Sequence, residues 1–314
     1  MRYFFNTIRR RSVTSFERSM TTSFERSSVV TKDGAKISYV LHREDESKKT
    51  SPPLLMINGW TCTGEFWGSL MTRETPKERD VVTFDLRGSG QSDVTEGPYD
   101  VKMLAEDAKA LIDDLNVQGK VHVLGFSLGG MIAQQIAAAH PERVASLVLC
   151  STTAGGKNMV AADKEVAKTF FGCFRKFDDD ESEIRAARTF AEYGLAPQNE
   201  SSLIDRVARS YLSSSKCTTD GINAQMGALN WKGIKDEESS SEIPVLIVHG
   251  TEDKVLPYGN VEGMKSLWSR SRVLELPGHG HFWNATNLAA PRTIASFLQD
   301  VDQDGNIQDN YEVA

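Results

Sequence analysis

Residues 121–139 read VHVLGFSLGGMIAQQIAAA. The run up to Phe126 is short, apolar and partly β-branched, as a buried strand is, and the apolar run from Leu128 onward is long enough for a buried helix. Between them lies Gly125-Phe126-Ser127-Leu128-Gly129, a GxSxG pattern. A strand that turns at once into a helix strains its corner residue. Glycines on both sides let neighbouring backbone pass, so Ser127 Oγ is expected to project from the carboxyl edge of a sheet. The helix N-terminus behind it adds positive potential and unpaired N–H groups. A lone GxSxG is also compatible with a glycine-rich turn holding an incidental serine. The strand and helix around it make Ser127 a candidate nucleophile.

Similar short runs lie on either side: PLLMING (53–59), VVTFDLRG (81–88), KVHVLGFS (120–127), VASLVLCS (144–151), PVLIVHG (244–250) and RVLELPG (272–278). Each is apolar on both faces, which is expected of buried parallel strands. Helical patterns separate most of them. In DVKMLAEDAKALIDDLN (100–116), Val101, Leu104, Ala108, Leu111 and Leu115 recur at spacings of three and four, with Asp100 as N-cap. Upstream, SVVTKDG and AKISYVLHRE flank Asp33-Gly34 and predict a hairpin. Alternating strand and helix imply an α/β fold with a doubly wound, mostly parallel sheet. About ninety residues between Ser151 and Pro244 interrupt this alternation with helical periodicity and no convincing strand, too long for a loop between packed elements. Their aromatics (Phe170, Phe171, Phe174, Phe177, Phe190, Tyr193, Tyr211 and Trp231) predict a helical cap over a pocket; most are expected to form the cap's own core and two or three to face a ligand. The expected division is a core of residues 29–152 and 243–300, a cap of 153–242, a disordered leader of 1–28 and an acidic tail of 301–314.

The 314 residues are 39% hydrophobic and 25% charged, with a formal net charge of −7. That mild acidic excess, without a basic stripe, argues against a nucleic-acid surface. Cys62, Cys150, Cys173 and Cys217 are far apart and contain no CxxC, so zinc-ligand spacing and a dense disulfide framework are both absent and reduced thiols are expected. MRYFFNTIRRRSVTSF (1–16) holds four arginines and no acid, resembling a mitochondrial transit peptide, while TSFERS at 14–19 recurs at 22–27 as in a low-complexity leader. A mitochondrial or a cytoplasmic location fits, and the apolar run is too short to span a membrane. In the tail, Asp300, Asp302, Asp304, Gly305 and Ile307 match positions one, three, five, six and eight of a calcium loop. Position twelve is Tyr311 instead of Glu, which favours a disordered acidic tail.

Together with GFSLGG, the segments DLRGSGQSD (85–93) and HGTEDKVLP (249–257) resemble the α/β-hydrolase superfamily over about residues 28–300. Lids of that superfamily fall where the cap is expected. Serine at position 127 sets the chain apart from the dehalogenase and epoxide hydrolase branches. The resemblance implies Asp253, in Gly250-Thr251-Glu252-Asp253, as the acid that orients the base, with Glu252 as its neighbouring decoy. In Gly278-His279-Gly280-His281-Phe282 it implies His281 as the base, His279 filling the variable position. Leu128 N–H and Trp60 N–H are the implied oxyanion donors, with Asn58 replacing the family's usual histidine before Gly59. His122, His140 and His249 are expected to pack or cap, and Cys62 has no implied partner base. The function implied is a serine hydrolase of a small carboxylic ester or lactone, acting through an acyl-enzyme with no metal or organic cofactor. A carbon–carbon bond hydrolase, an acyltransferase, or a receptor-like binder of small ligands using the same residues are the alternatives.

Overall fold

A computed structural model describes residues 23–74, 78–115, 119–174, 179–214, 217–239, 242–304, 307 and 311. Its strands are β1 (Ser23–Val30), β2 (Lys36–Arg43), β3 (Leu54–Ile57), β4 (Val81–Phe84), β5 (Val121–Phe126), β6 (Val144–Cys150), β7 (Val245–Gly250) and β8 (Ser271–Leu276). The helices are α1 (Gly68–Glu74), α2 (Val101–Asp114), α3 (Leu128–Ala139), α4 (Lys164–Gly172), α5 (Asp180–Gly194), α6 (Ser201–Ser214), α7 (Thr219–Gln225), α8 (Asn260–Leu267) and α9 (Ala290–Asp304).

The eight strands form one sheet in the order β1-β2-β4-β3-β5-β6-β7-β8. The hairpin β1/β2 is antiparallel, β2 joins β4 antiparallel, and every pair from β4 to β8 is parallel. The α/β expectation thus holds. Strands β3 to β7 are buried along their whole length apart from the half-buried Ala145 in β6, which explains their apolar runs. RVLELPG departs from the expected two-faced burial. It forms the edge strand β8, where only Leu274 and Leu276 are buried. Helix α2 begins as its sequence dictates, with the Asp100 carboxylate accepting from Met103 N–H and one apolar face buried. Helix α3 is buried on every side from Leu128 to Ala137 because it packs on the sheet centre beneath α2.

The order in which successive strands are added to the sheet reverses between β3 and β5, which lie side by side and parallel with Ile57 opposite Gly125. Loops leaving those strands diverge there and open a crevice at the carboxyl edge. Residues between β6 and β7 form α4 to α7 and contain no strand among the described residues.

Both ends differ from expectation. Residues 23–28 are not leader but part of β1, where backbone pairing with β2 takes up Ser23 to Ser27 of the second TSFERS copy. The transit-peptide reading of residues 1–22 lies outside the described residues. Asp302 does not lie in a disordered tail. Helix α9 continues through it, and its carboxylate takes 2.6 Å and 2.9 Å contacts from Arg79 Nη2 and His122 Nε2. Asp300 is likewise engaged, by the Tyr311 hydroxyl at 2.6 Å. Gly305 lies outside the described residues.

Candidate active site

Ser127 occupies the corner between β5 and α3 with φ 54° and ψ −116°, a left-handed region that a non-glycine residue enters at a cost of about 1 to 3 kcal/mol. The surroundings enforce it. Ser127 N–H donates to Cys150 O at 2.9 Å, and Thr152 Oγ1 donates to Ser127 O at 2.7 Å. A Cβ on Gly129 would come within 2.1 Å of Ile57 O, and one on Gly125 within 2.2 Å of Gly129 O. Only glycine lets β3, β5 and α3 approach this closely.

Asp253 follows β7 and is buried, whereas its neighbour Glu252 is exposed. Asp253 Oδ1 accepts from Val255 N–H at 2.9 Å and Leu256 N–H at 2.8 Å; Oδ2 lies 2.8 Å from His281 Nδ1 and 3.3 Å from His249 Nε2. Burial alone would raise this carboxyl, but the imidazoles of His281 and His249 outweigh it and hold the group well below the usual carboxylate range. His281 is itself buried, with its carbonyl accepting from Ser151 Oγ at 3.0 Å. The GHGHF loop is clamped from both sides. A Cβ on Gly250 would strike His279 O, one on Gly280 would strike the backbone at Leu195–Ala196, and Phe282 N–H donates to Gly194 O at 2.7 Å. His279 instead turns outward, with Nδ1 2.9 Å from Pro277 O.

Ser127 and His281 both line a cavity of about 270 Å³. Its walls are apolar: Met131, Phe170, Phe171, Phe190, Leu229 and Phe282 supply much of the surface. Asn230, Cys62, Ser127 and His281 are its polar side chains, and no Lys, Arg, Asp or Glu lines it among the described residues. Of the cap aromatics, Phe170, Phe171 and Phe190 reach this cavity. Phe174 meets Phe190 edge-on and Tyr211 packs tilted against it, while Phe177 lies outside the described residues.

On the β3 side, neither Trp60 N–H nor Leu128 N–H donates to a described residue. Asn58 is fully buried, and its amide donates to Cys62 O at 2.5 Å, closing the turn that carries Trp60. Burial pushes the Cys62 thiol far above its ordinary value, so it stays protonated. His122 bonds Ser146 and Asp302 away from this edge, and His140 pairs with Glu106 on the surface. His249 differs from the expectation of simple packing. It donates from Nε2 toward Leu256 O at 2.8 Å and sits against the Asp253 carboxylate. Ser151 and Thr152 carried no motif either, although both directly follow β6 at the same sheet edge. Position after a central strand was the signal that could have found them.

A family model described as the alpha/beta hydrolase fold matches residues 52–288, and the chain belongs to that family. It is 28% identical over 272 residues to a bifunctional esterase/perhydrolase of Acinetobacter calcoaceticus, covering 81% of this chain and 92% of the relative. A thermophilic esterase from Thermogutta terrifontis has the same fold, with TM-score 0.70 at 23% identity over 89% of this chain and 100% of that one. A meta-cleavage product hydrolase from Pseudomonas fluorescens IP01 shares it too, with TM-score 0.69 at 20% identity over 87% and 97%.

Proposed function

We propose that this chain is a serine hydrolase that cleaves an uncharged, apolar carboxylic ester or lactone through an acyl-enzyme on Ser127. The observation that carries the reading is the 2.8 Å contact between His281 Nδ1 and Asp253 Oδ2, in a loop whose imidazole borders the cavity that also holds Ser127. A proton held on Nδ1 leaves Nε2 as an acceptor. His281 Nε2 takes the Ser127 hydroxyl proton as Oγ bonds to the substrate carbonyl carbon. The resulting oxyanion accepts from Leu128 and Trp60 N–H, and Asp253 stabilises the imidazolium. Collapse breaks the carbonyl carbon's bond to the leaving oxygen, which takes the proton from His281. Water then gives a proton to His281 and attacks the acyl carbon, and Ser127 Oγ departs with that proton.

Family membership and the esterase named among the relatives support hydrolase chemistry. The lining bears on the substrate. A charged group drawn into this cavity would have no counter-ion, a cost of several kcal/mol. That favours neutral esters over substrates with a carboxylate beside the scissile bond, whether these are cleaved at oxygen or at carbon. Transfer of the acyl group to an alcohol would use the same intermediate and differ only in the acceptor. A fluorophosphonate probe tests the reading: folded protein should be labelled at Ser127, and Ser127→Ala should not. Wild-type protein that stays unlabelled would leave the receptor-like alternative standing.

A further inference from the structure

The turn carrying Trp60 is held by a part of the chain more than 150 residues away. Thr61 has φ 64°, a left-handed backbone angle in a threonine, so its β-branched side chain works against the observed turn. Both polar groups of its backbone are gripped from the segment between β6 and β7. Gln225, fully buried at the end of α7, accepts from Thr61 N–H through Oε1 at 3.1 Å. Its Nε2 donates to Arg87 O and Ser89 Oγ, each at 2.8 Å, so all three of those amide contacts converge on the loops after β3 and β4. Cys217 Sγ lies 2.9 Å from Thr61 O, and burial pushes its thiol up to about 11, which keeps the donor proton in place. Flanking bonds repeat the pattern, with Trp60 Nε1 donating to Ile222 O at 3.3 Å and Thr63 Oγ1 to Ser214 O at 2.9 Å.

We propose that Gln225, assisted by Cys217, is a positioning residue that sets the Trp60 N–H for the oxyanion, so that the inserted helices assemble the catalytic site as well as cover it. The inference rests on the serine hydrolase reading above. The peptide plane between Trp60 and Thr61 follows from Thr61 N–H and C=O being fixed on either side of one strained residue. Releasing the Gln225 contact lets Thr61 relax toward negative φ and turns the neighbouring Trp60 amide off the oxyanion position. Substrate binding, governed by the apolar walls, is left largely intact.

The test compares wild type with Gln225→Leu on a p-nitrophenyl ester, together with inhibition by a trifluoromethyl ketone whose adduct on Ser127 carries the same oxyanion. Loss of an entire oxyanion donor costs roughly 10²- to 10³-fold in kcat, and a displaced donor less. Expected are a fall in kcat of about 10- to 100-fold, an equal loss of ketone affinity, and KM within about threefold. Gln225→Met keeps the side chain's length while removing the acceptor for Thr61 N–H along with the donors to Arg87 and Ser89, and carries the same test should the leucine variant not fold. Cys217→Ser, which retains a donor, is expected to outperform Cys217→Ala. Either folded Gln225 variant within twofold of wild-type kcat would overturn the inference. So would a loss carried by KM with ketone affinity unchanged. If wild-type Ser127 takes no fluorophosphonate label, the hydrolase reading itself has failed; if wild type turns over and the variants match it, only the positioning role has.

Discussion

Two histidines one residue apart in GHGHF have opposite surroundings, and the difference is set by which of them faces Asp253. His281 is buried with Nδ1 on the carboxylate, while His279 bonds the carbonyl of Pro277 at the surface. His281→Ala is therefore expected to lower kcat by about 10⁴-fold or more, since a base acting in one unit with its nucleophile leaves little behind when removed. His279→Ala should stay within about threefold of wild type, and steady-state kinetics on one ester separates the two. Asp253→Asn keeps the shape but offers the imidazole the wrong tautomer, and a loss of about 10³- to 10⁴-fold is expected. The same carboxylate gives a stability signature. Its folded pKa lies below the unfolded value, so its contribution is present above the unfolded value of about 3.9 and is lost as pH falls below it. Melting curves should show the wild type's advantage over Asp253→Asn shrinking as pH falls below about 4. An advantage that stayed unchanged through that range would contradict the paired carboxylate.

At the scale of elements, the β5–α3 corner leaves no room for a side chain at Gly129. An added methyl would press on Ile57 O, which is backbone of the neighbouring strand and cannot swing aside as a side chain could. Gly129→Ala should destabilise by about 1 to 3 kcal/mol or more in urea denaturation and displace Ser127 enough to reduce labelling. Helix α9 is tied to the opposite edge of the sheet by Asp302, which meets both His122 and the buried Arg79 guanidinium. Asp302→Ala leaves that guanidinium buried without its carboxylate, a loss of about 3 kcal/mol or more, whereas kcat should be little changed because α9 contributes nothing to the cavity. Calorimetric titration with calcium chloride should give no heat of specific binding. The aspartate spacing that resembled a calcium loop places Asp302 on a helix face, where packing has already claimed it.

In the molecule as a whole, the sheet was legible because five central strands are buried on both faces and announce themselves as apolar runs. The nucleophile corner was legible because its glycines are demanded by backbone contact a few residues away. What stayed hidden has no local cause. Gln225 meets Thr61 across 164 positions and Ser151 meets the His281 carbonyl across 130, and such pairs impose no periodicity on either segment. The cavity is of the same kind, since the aromatics of the inserted helices could equally have formed a separate core, and only their packing decides that Phe170, Phe171 and Phe190 face Ser127. From that packing follows a preference that no motif contains. The space of about 270 Å³ is near the small end of ligand pockets, which run from roughly 300 Å³ upward, so acyl chains should gain from added methylenes only until the apolar wall is filled. Each buried methylene contributes about 0.8 kcal/mol, or close to fourfold in kcat/KM, and the gain should reverse once the chain outgrows the wall. An acyl chain of the optimal length ending in a carboxylate meets no cation and must shed its hydration, at a cost of about 3 kcal/mol or more. A p-nitrophenyl series should therefore rise and then fall with chain length, with the hemisuccinate slower than the butyrate by about 100-fold or more in kcat/KM. Equal rates for those two esters would mean that the substrate enters by another route than the aromatic cavity beside Ser127.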